Sequence, residues 1–223
     1  MSSHSHAEAH PKILPHEFPI DRDFGRATLG KVGMWIFLLT DALMFAGFLL
    51  GYGILRGKSE VWRSATEPDF GIPFTACLTF LLIVSSVTMV FAYAAAIERN
   101  QRKTMIFLAL TALGGILFLC GQFKEYFGMP GLAHLTGIEW FSHGLTDEGL
   151  VFADSARAST FYLITSFHGF HVFSGVVFLL VTLVRTKLGH FKDGNYNDIE
   201  ICGLFWHFVD LIWILVFTFI YLI

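Results

Sequence analysis

Two stretches decide the fold of this chain: Ser166–Gly175, which reads SFHGFHVFSG, and Phe205–Trp213, which reads FWHFVDLIW. Both lie in apolar runs long enough to cross a bilayer as a helix. In each stretch two ionisable residues three positions apart share one helix face: His168 with His171, and His207 with Asp210. Such groups are costly in hydrocarbon unless they face a protein interior, so they indicate contacts between helices.

The composition is that of a membrane protein. Of the 223 residues, 54% are hydrophobic and 15% are charged, whereas soluble domains carry about a quarter charged residues. The formal net charge of −3 disfavours a nucleic-acid partner. Three cysteines that form no CxxC pair are predicted to be small buried hydrophobic residues: Cys77, Cys120 and Cys202.

Five apolar segments are each long enough to span about 30 Å of hydrocarbon. They cover Val32–Leu55, Ile72–Ile97, Thr104–Phe123, Ser159–Val184 and Ile201–Ile223. These segments predict an all-α, polytopic membrane protein with a single five-helix domain over residues 29–223. The preceding residues 1–28, which contain several prolines and histidines, are predicted to form a flexible cytoplasmic tail.

Lysine and arginine residues predict the orientation of the chain. Ten of them lie in the N-terminal tail, the second loop and the fourth loop, and five lie in the first and third loops. The N-terminus is therefore predicted to be cytoplasmic and the C-terminus extracytoplasmic. The third loop, taken as Lys124–Ala158, carries five acids that suit an extracytoplasmic surface: Glu125, Glu139, Asp147, Glu148 and Asp154.

A further embedded acid, Asp41, lies nine residues, roughly 14 Å, into the first span. The ionisable residues of the last two spans lie at depths that agree with it within about two helical turns. We therefore predict one buried polar cluster across three helices: Asp41, His168, His171, His207 and Asp210. The alternative is that a neighbouring helix or a backbone carbonyl satisfies each group separately.

Four further residues are predicted to lie at a subunit interface. Gly47 and Gly51 form a GxxxG step, which lets helix backbones approach closely. Trp206 and Trp213 are seven residues apart on one face of the last span, and a packing role is favoured over cofactor binding. We predict no metal site in this chain.

With these motifs the chain resembles subunit III of the haem-copper respiratory oxidases, which are cytochrome c oxidase and its quinol-oxidising relatives. Matching stretches follow the family order across the whole membrane region: Gly33–Phe48, Glu125–Phe127, Ser159–Val172 and Trp206–Trp213. Many family members have seven helices, and five resembles the shorter bacterial forms that lack the first two. The family usually has an embedded glutamate where this chain has Asp41.

The resemblance implies an accessory, non-redox subunit of a terminal oxidase in a bacterial plasma membrane. Haem and copper are then expected in partner subunits, with subunit I in direct contact, subunit II nearby and a respiratory supercomplex as a further partner. The family subunit supports proton uptake toward subunit I, protects it from turnover inactivation and binds phospholipid between its helices. Arg185 and Glu200 match family positions that contact lipid.

Three other functions are left open by the sequence. Histidines could hold haem or copper, since imidazole suits both, although no clear ligand set is present. A small proton or solute carrier could use Asp41 and the histidines as a relay, but the sequence has no internal repeat. An accessory subunit of a nitric oxide reductase is the nearest alternative to the oxidase.

Overall fold

The computed structural model describes residues 28–60, 62, 71–189 and 196–223. In these ranges it contains six α-helices: α1 (Leu29–Lys58), α2 (Ile72–Ile97), α3 (Gln101–Phe127), α4 (Pro130–Thr136), α5 (Ala156–Lys187) and α6 (Asn197–Val216). A 3₁₀ turn over Glu139–Phe141 follows α4, and π-helical turns over Phe217–Leu222 continue α6 to the end of the chain. The predicted tail lies outside the described residues, except for Thr28.

Five of these helices are long and apolar enough to cross a membrane: α1, α2, α3, α5, and α6 with its π-helical continuation. The prediction of an all-α, multi-pass membrane protein with five spans is confirmed. The spans begin up to four residues before the predicted segments, because polar caps lie outside the apolar region. Thr28 accepts a hydrogen bond from the backbone N–H of Lys31, and Ser155 accepts one from that of Ala158.

Four spans form the centre of the bundle, and α1 lies on its outside. Helices α2 and α3 are joined by a short turn and pack along each other. Helix α5 packs against α3, and α6 packs against both α5 and α2, while α1 packs against α6 and α5. Cys202 is buried in α6, whereas Cys77 and Cys120 are exposed on the outside of α2 and α3, so the prediction of three buried cysteines is wrong for those two.

Trp206 is the central packing residue where α3, α5 and α6 meet. Its side chain is only 1% exposed, and its Nε1–H donates to Ser85 Oγ at 3.1 Å. A Cβ on Gly115 of α3 would lie 2.5 Å from the indole, and one on Gly175 of α5 would lie 2.9 Å from it. Two glycines therefore make the space that this indole fills.

Both tryptophans of α6 are thus internal, which corrects the prediction that they lie at a subunit interface. Trp213 is fully buried, donates through Nε1–H to Thr79 Oγ1 at 2.9 Å, and packs edge-on against Phe118. Spacing of seven residues placed Trp206 and Trp213 on one face correctly, but that face is turned toward the bundle. Buried tryptophan requires a partner for its N–H, and α2 supplies a hydroxyl for each.

Candidate functional site

An acid and a histidine meet between α1 and α5. Asp41 is 4% exposed, and its Oδ1 lies 3.2 Å from Nε2 of His171. The other ring nitrogen of His171, Nδ1, is 2.9 Å from the backbone oxygen of Phe167, one turn earlier in α5. Phe45 and Phe167 pack against the His171 ring, with ring centroids 5.4 and 4.9 Å away.

The hydrogen bonds of His171 determine where protons can be. A backbone oxygen only accepts, so Nδ1 of His171 carries a hydrogen and donates it to Phe167. One further proton then lies between Nε2 and Asp41 Oδ1, either on the imidazole beside a carboxylate or on the acid beside a neutral imidazole. The arrangement can hold a single proton inside the α1–α5 contact.

His168 is close to His171 but has a different environment. It is fully buried, and both its ring nitrogens are enclosed without a hydrogen-bond partner among the described residues. Aromatic rings surround it: Phe45, Phe118 and Trp213, with ring centroids 6.4, 5.9 and 4.9 Å away. We infer that His168 fills space as an aromatic residue rather than acting as a hydrogen-bonding group.

Replacing His168 by Phe tests this difference between the two histidines. We expect His168→Phe to raise the free energy of unfolding by about 1 kcal/mol, because it removes buried polar atoms without partners and keeps the ring stacking. His171→Phe should instead lower it by about 3 kcal/mol, because Asp41 is left unpaired. Thermal unfolding of the purified protein in detergent measures both, and a large loss with His168→Phe would show that its nitrogens are needed.

His207 and Asp210 belong to a second polar group, between α2 and α6. Nδ1 of His207 lies 2.6 Å from Oγ of Ser86, and Asp210, one turn later in α6, lies near the same serine. Asp210 Oδ1 is enclosed without a partner among the described residues. Ser86 was not identified from the sequence, because a serine within an apolar span has no distinguishing pattern.

The predicted single cluster is therefore corrected to two polar groups on different helix pairs. Within the described part of the chain, no hydrogen bond or ion pair joins the Asp41–His171 pair to His207 or Asp210. Depth along each helix indicates only which residues could share a level in the membrane. It carries no information on the rotation of one helix relative to another, which decides which residues meet.

Charged residues at one end of the bundle tie α1 and α5 to the start of α6. Lys31 Nζ lies 2.7 Å from Glu200 Oε2, which also accepts a hydrogen bond from the Tyr93 hydroxyl at 3.2 Å. Arg185 Nη1 lies 2.5 Å from Asp198 Oδ2. Arg185 and Glu200 were predicted to contact lipid, and the structure places each in an ion pair while leaving Arg185 exposed.

The two glycines of the GxxxG step lie on the outer side of α1. A Cβ built on Gly47 or Gly51 would meet no described atom within 4 Å. The small residues therefore do not bring another helix of this chain close to α1. Their assignment to a subunit interface stays a prediction.

Glu125 forms a third buried polar group, which corrects its assignment to an extracytoplasmic loop. It is 5% exposed, and its carboxylate accepts hydrogen bonds from the Thr75 hydroxyl at 2.9 Å and the Tyr221 hydroxyl at 3.0 Å. These bonds join α2, α3 and the π-helical end of the chain. The glycine at position 128 is the sequence signal that α3 extends past Glu125, since helices often end at a glycine. In the structure Gly128 follows the helix with a positive φ of 67°.

Replacing Glu125 by Leu should loosen the C-terminal segment. Two buried hydroxyls lose an acceptor, so we expect the free energy of unfolding to fall by about 2 to 4 kcal/mol. Glu125→Gln keeps one carbonyl oxygen and should lose about 1 kcal/mol. Glu139→Leu is the matched control, because this glutamate is exposed in the 3₁₀ turn. Hydrogen exchange of Phe217–Leu222 reports the loosening, and equal exchange in Glu125→Leu and Glu139→Leu would contradict it.

An apolar groove of about 870 Å³ runs between α3 and α5, toward the loop that joins them. Aromatic side chains form much of its lining: Phe123, Tyr126, Phe127, Phe152, Tyr162, Phe167 and Phe170. At its floor, Gln122 donates to the backbone oxygen of Thr165 and to the Tyr126 hydroxyl. No charged side chain of the described residues lines this groove, so it suits an apolar occupant.

Side chains of the types that bind metals are scattered over the described residues. Among them, no three His, Cys, Asp or Glu side chains are grouped so that they could hold a metal ion. Of the predicted site residues, His171 has both ring nitrogens engaged within the chain. The polar groups of the bundle are thus arranged for contacts between helices.

Comparison with known proteins identifies the family. The family model described as cytochrome c oxidase subunit III matches residues 26–223. The chain is 33% identical to the probable cytochrome c oxidase subunit 3 of Rickettsia bellii over 209 residues, covering 86% of this chain and 68% of the relative. It is 32% identical to cytochrome c oxidase subunit 3 of Thermostichus vulcanus, covering 86% of each. It is also 32% identical to cytochrome c oxidase subunit 3 of Drosophila melanogaster, covering 87% of this chain and 70% of the relative. The chain therefore belongs to the cytochrome c oxidase subunit III family.

Proposed function

We propose that this chain is the accessory, non-redox subunit of a terminal haem-copper oxidase, in direct contact with the catalytic subunit I and close to subunit II. Haem and copper belong to those partner chains, and electron transfer to oxygen takes place there. The chain contributes to the stability of the catalytic subunit and to proton uptake toward it. Its N-terminus faces the cytoplasm of a bacterial cell.

The observation that carries this proposal is the large exposed apolar surface on the outer side of α1. This span packs on α6 and α5 along one side only, and its other side exposes large apolar residues: Trp35, Leu39, Leu43 and Leu50, each at least 60% exposed. The glycines on its outer side leave the backbone open to close approach by another helix. A span with so few contacts in its own chain favours a role within a larger assembly.

Lipid binding is the second part of the proposed function. The α3–α5 groove is apolar and opens between two membrane spans, which supports occupation by a phospholipid acyl chain. At the opposite end of the bundle, exposed Arg185 can contact a lipid phosphate beside its ion pair with Asp198. Glu200 would act there by holding Lys31 and the end of α1 in position.

Purification of the tagged chain from its own membranes in mild detergent tests the proposal. We expect a haem-copper oxidase catalytic subunit to co-purify with the chain in equal amounts. When the complex is dissociated, the haem absorption should be found with that subunit and not with this chain. Identification of a nitric oxide reductase catalytic subunit in its place would contradict the proposal. A stoichiometric haem spectrum from the isolated chain would contradict the non-redox role.

A further inference from the structure

His207 presents an unsatisfied nitrogen at the surface of the bundle. Its ring is partly buried beside α2, and Nδ1 is bonded to Ser86. The second nitrogen, Nε2, has no hydrogen-bond partner among the described residues. It also differs from the four polar atoms that the bundle encloses without a partner, which are Asp41 Oδ2, both nitrogens of His168 and Asp210 Oδ1. Nε2 of His207 is therefore accessible from outside.

The depth of His207 makes this exposure costly. It lies six residues after Ile201, where the apolar part of the last span begins, which is about 9 Å along the helix. Since the hydrocarbon layer is about 30 Å thick, the ring lies well inside it. Lipid chains offer no hydrogen bond, and the polar head groups do not reach this depth. An imidazole nitrogen facing them carries an uncompensated desolvation cost.

Two threonines on the outside of the described spans do not raise this problem. The hydroxyl of Thr40 donates to the backbone oxygen of Phe37, and that of Thr218 donates to the backbone oxygen of Ile214. Each hydroxyl is satisfied by its own helix and can face lipid. His207 has its Nδ1 bonded across helices, and its Nε2 is left for a group from outside the chain.

We propose that a membrane-spanning helix of the catalytic subunit covers this surface, and that a hydroxyl or carboxamide side chain on it bonds to Nε2 of His207. We call the surface the α2–α6 face; it consists of Ser86 and His207 with the exposed residues around them, Ile83, Val90, Leu211 and Ile214. Helical spacing places these side chains along one seam. The inference rests on the proposed function, because it assigns a contact site to the same partner.

The chemistry of His207 selects the kind of side chain opposite it. If Ser86 donates to Nδ1, Nε2 carries the hydrogen and needs an acceptor. If Nδ1 instead donates to Ser86, Nε2 needs a donor. Hydroxyl and carboxamide groups both donate and accept, so they satisfy either arrangement. Their burial is also less costly than that of a charged group.

Photo-crosslinking in the intact complex tests the position of the partner. A photoreactive residue at Leu211, one turn beyond His207 and 56% exposed, should give a crosslink to the catalytic subunit. The same residue at Phe170, 65% exposed on α5, is the control and should give lipid adducts. Lipid adducts alone from position 211, a crosslink to a second copy of this chain, or equal crosslinking from both positions would overturn the inference.

Substitution of His207 tests the hydrogen bond itself. His207→Phe should dissociate from the complex about fivefold more readily in graded detergent, which is the size expected for one hydrogen bond within a membrane. His207→Gln keeps an amide nitrogen near the place of Nε2 and should restore most of the retention. Equal retention of the Phe variant and the natural chain would overturn the inference.

The two proposals fail in different ways. If no haem-copper catalytic subunit co-purifies with the natural chain, the proposed function is wrong. If that subunit co-purifies but position 211 gives no crosslink to it, the function stands and the α2–α6 face is not the contact.

Discussion

Asp41→Ala should lower the stability of the assembled protein by about 3 kcal/mol, whereas Asp41→Asn should lower it by less than about 1 kcal/mol. The buried pair between Asp41 and His171 explains the difference. Alanine leaves Nε2 of His171 without its partner in the α1–α5 contact. Asparagine has nearly the same size, and its amide N–H can donate to a neutral imidazole.

A double variant separates the loss of the pair from the loss of each residue. Breaking one partner of a buried pair is costly, while replacing both partners by apolar groups is often nearly neutral. We therefore expect Asp41→Ala combined with His171→Leu to be more stable than the sum of the two single losses indicates. Thermal unfolding of the four proteins completes the cycle, and strict additivity would show that the two side chains are not coupled.

Turnover against pH decides whether the shared proton is also used in function. If the pair is structural, the Asn variant keeps normal turnover once activity is normalised to assembled complex. If the pair handles protons, Asp41→Asn and Asp41→Ala both turn over more slowly at high pH, where proton supply limits the rate. We expect the structural result, because both nitrogens of His171 are committed to fixed partners.

Gly115→Leu should prevent the bundle from forming. Even a Cβ at this position would lie 2.5 Å from the Trp206 ring and 2.6 Å from a methyl group of Val176, so three helices would have to separate. We expect a loss of about 4 kcal/mol or more, beyond ordinary overpacking. The amount of protease-resistant chain in membranes measures it.

Gly47→Leu is the matched control, since no described atom lies within 4 Å of its Cβ. It makes the same chemical change in a span and should leave the fold intact. If the predicted subunit interface lies there, this variant will accumulate normally but bind its partner more weakly.

A second variant pair tests the clash directly: Trp206→Phe should recover part of the stability that Gly115→Ala loses, because the smaller ring frees space. Normal accumulation of Gly115→Leu would contradict the packing described for Trp206.

The sequence predicted the spans well because hydrophobic length is a property of each segment alone. It also marked Asp41, His171 and Asp210 as buried groups, since ionisable residues within apolar runs are visible without a structure. His207, predicted to be buried with them, is only partly buried. It could not predict which of them meet, because that depends on helix rotation. Asp41 faces α5, whereas His207 faces α2, although their depths are similar.

Two other errors have the same kind of cause. Glu125 was placed in a loop because a charge usually ends an apolar segment, but the helix continues until Gly128 and turns the carboxylate toward two hydroxyls. Trp206 was placed at an outer interface because large aromatic residues are common there. Its internal position depends on glycines in two other helices, a long-range complementarity that no local pattern contains.

The position of α1 has a consequence for how the protein is made. Among the described spans, α1 is synthesised before its partners α5 and α6, and His171 follows Asp41 by 130 residues. At about 5 to 20 residues per second, roughly 6 to 26 seconds separate the two. During that interval Asp41 lies in the membrane without its partner His171. Nascent α1 therefore needs a temporary binding partner, either the insertion machinery or a subunit already in the membrane. Assembly is expected to begin before translation of this chain is complete.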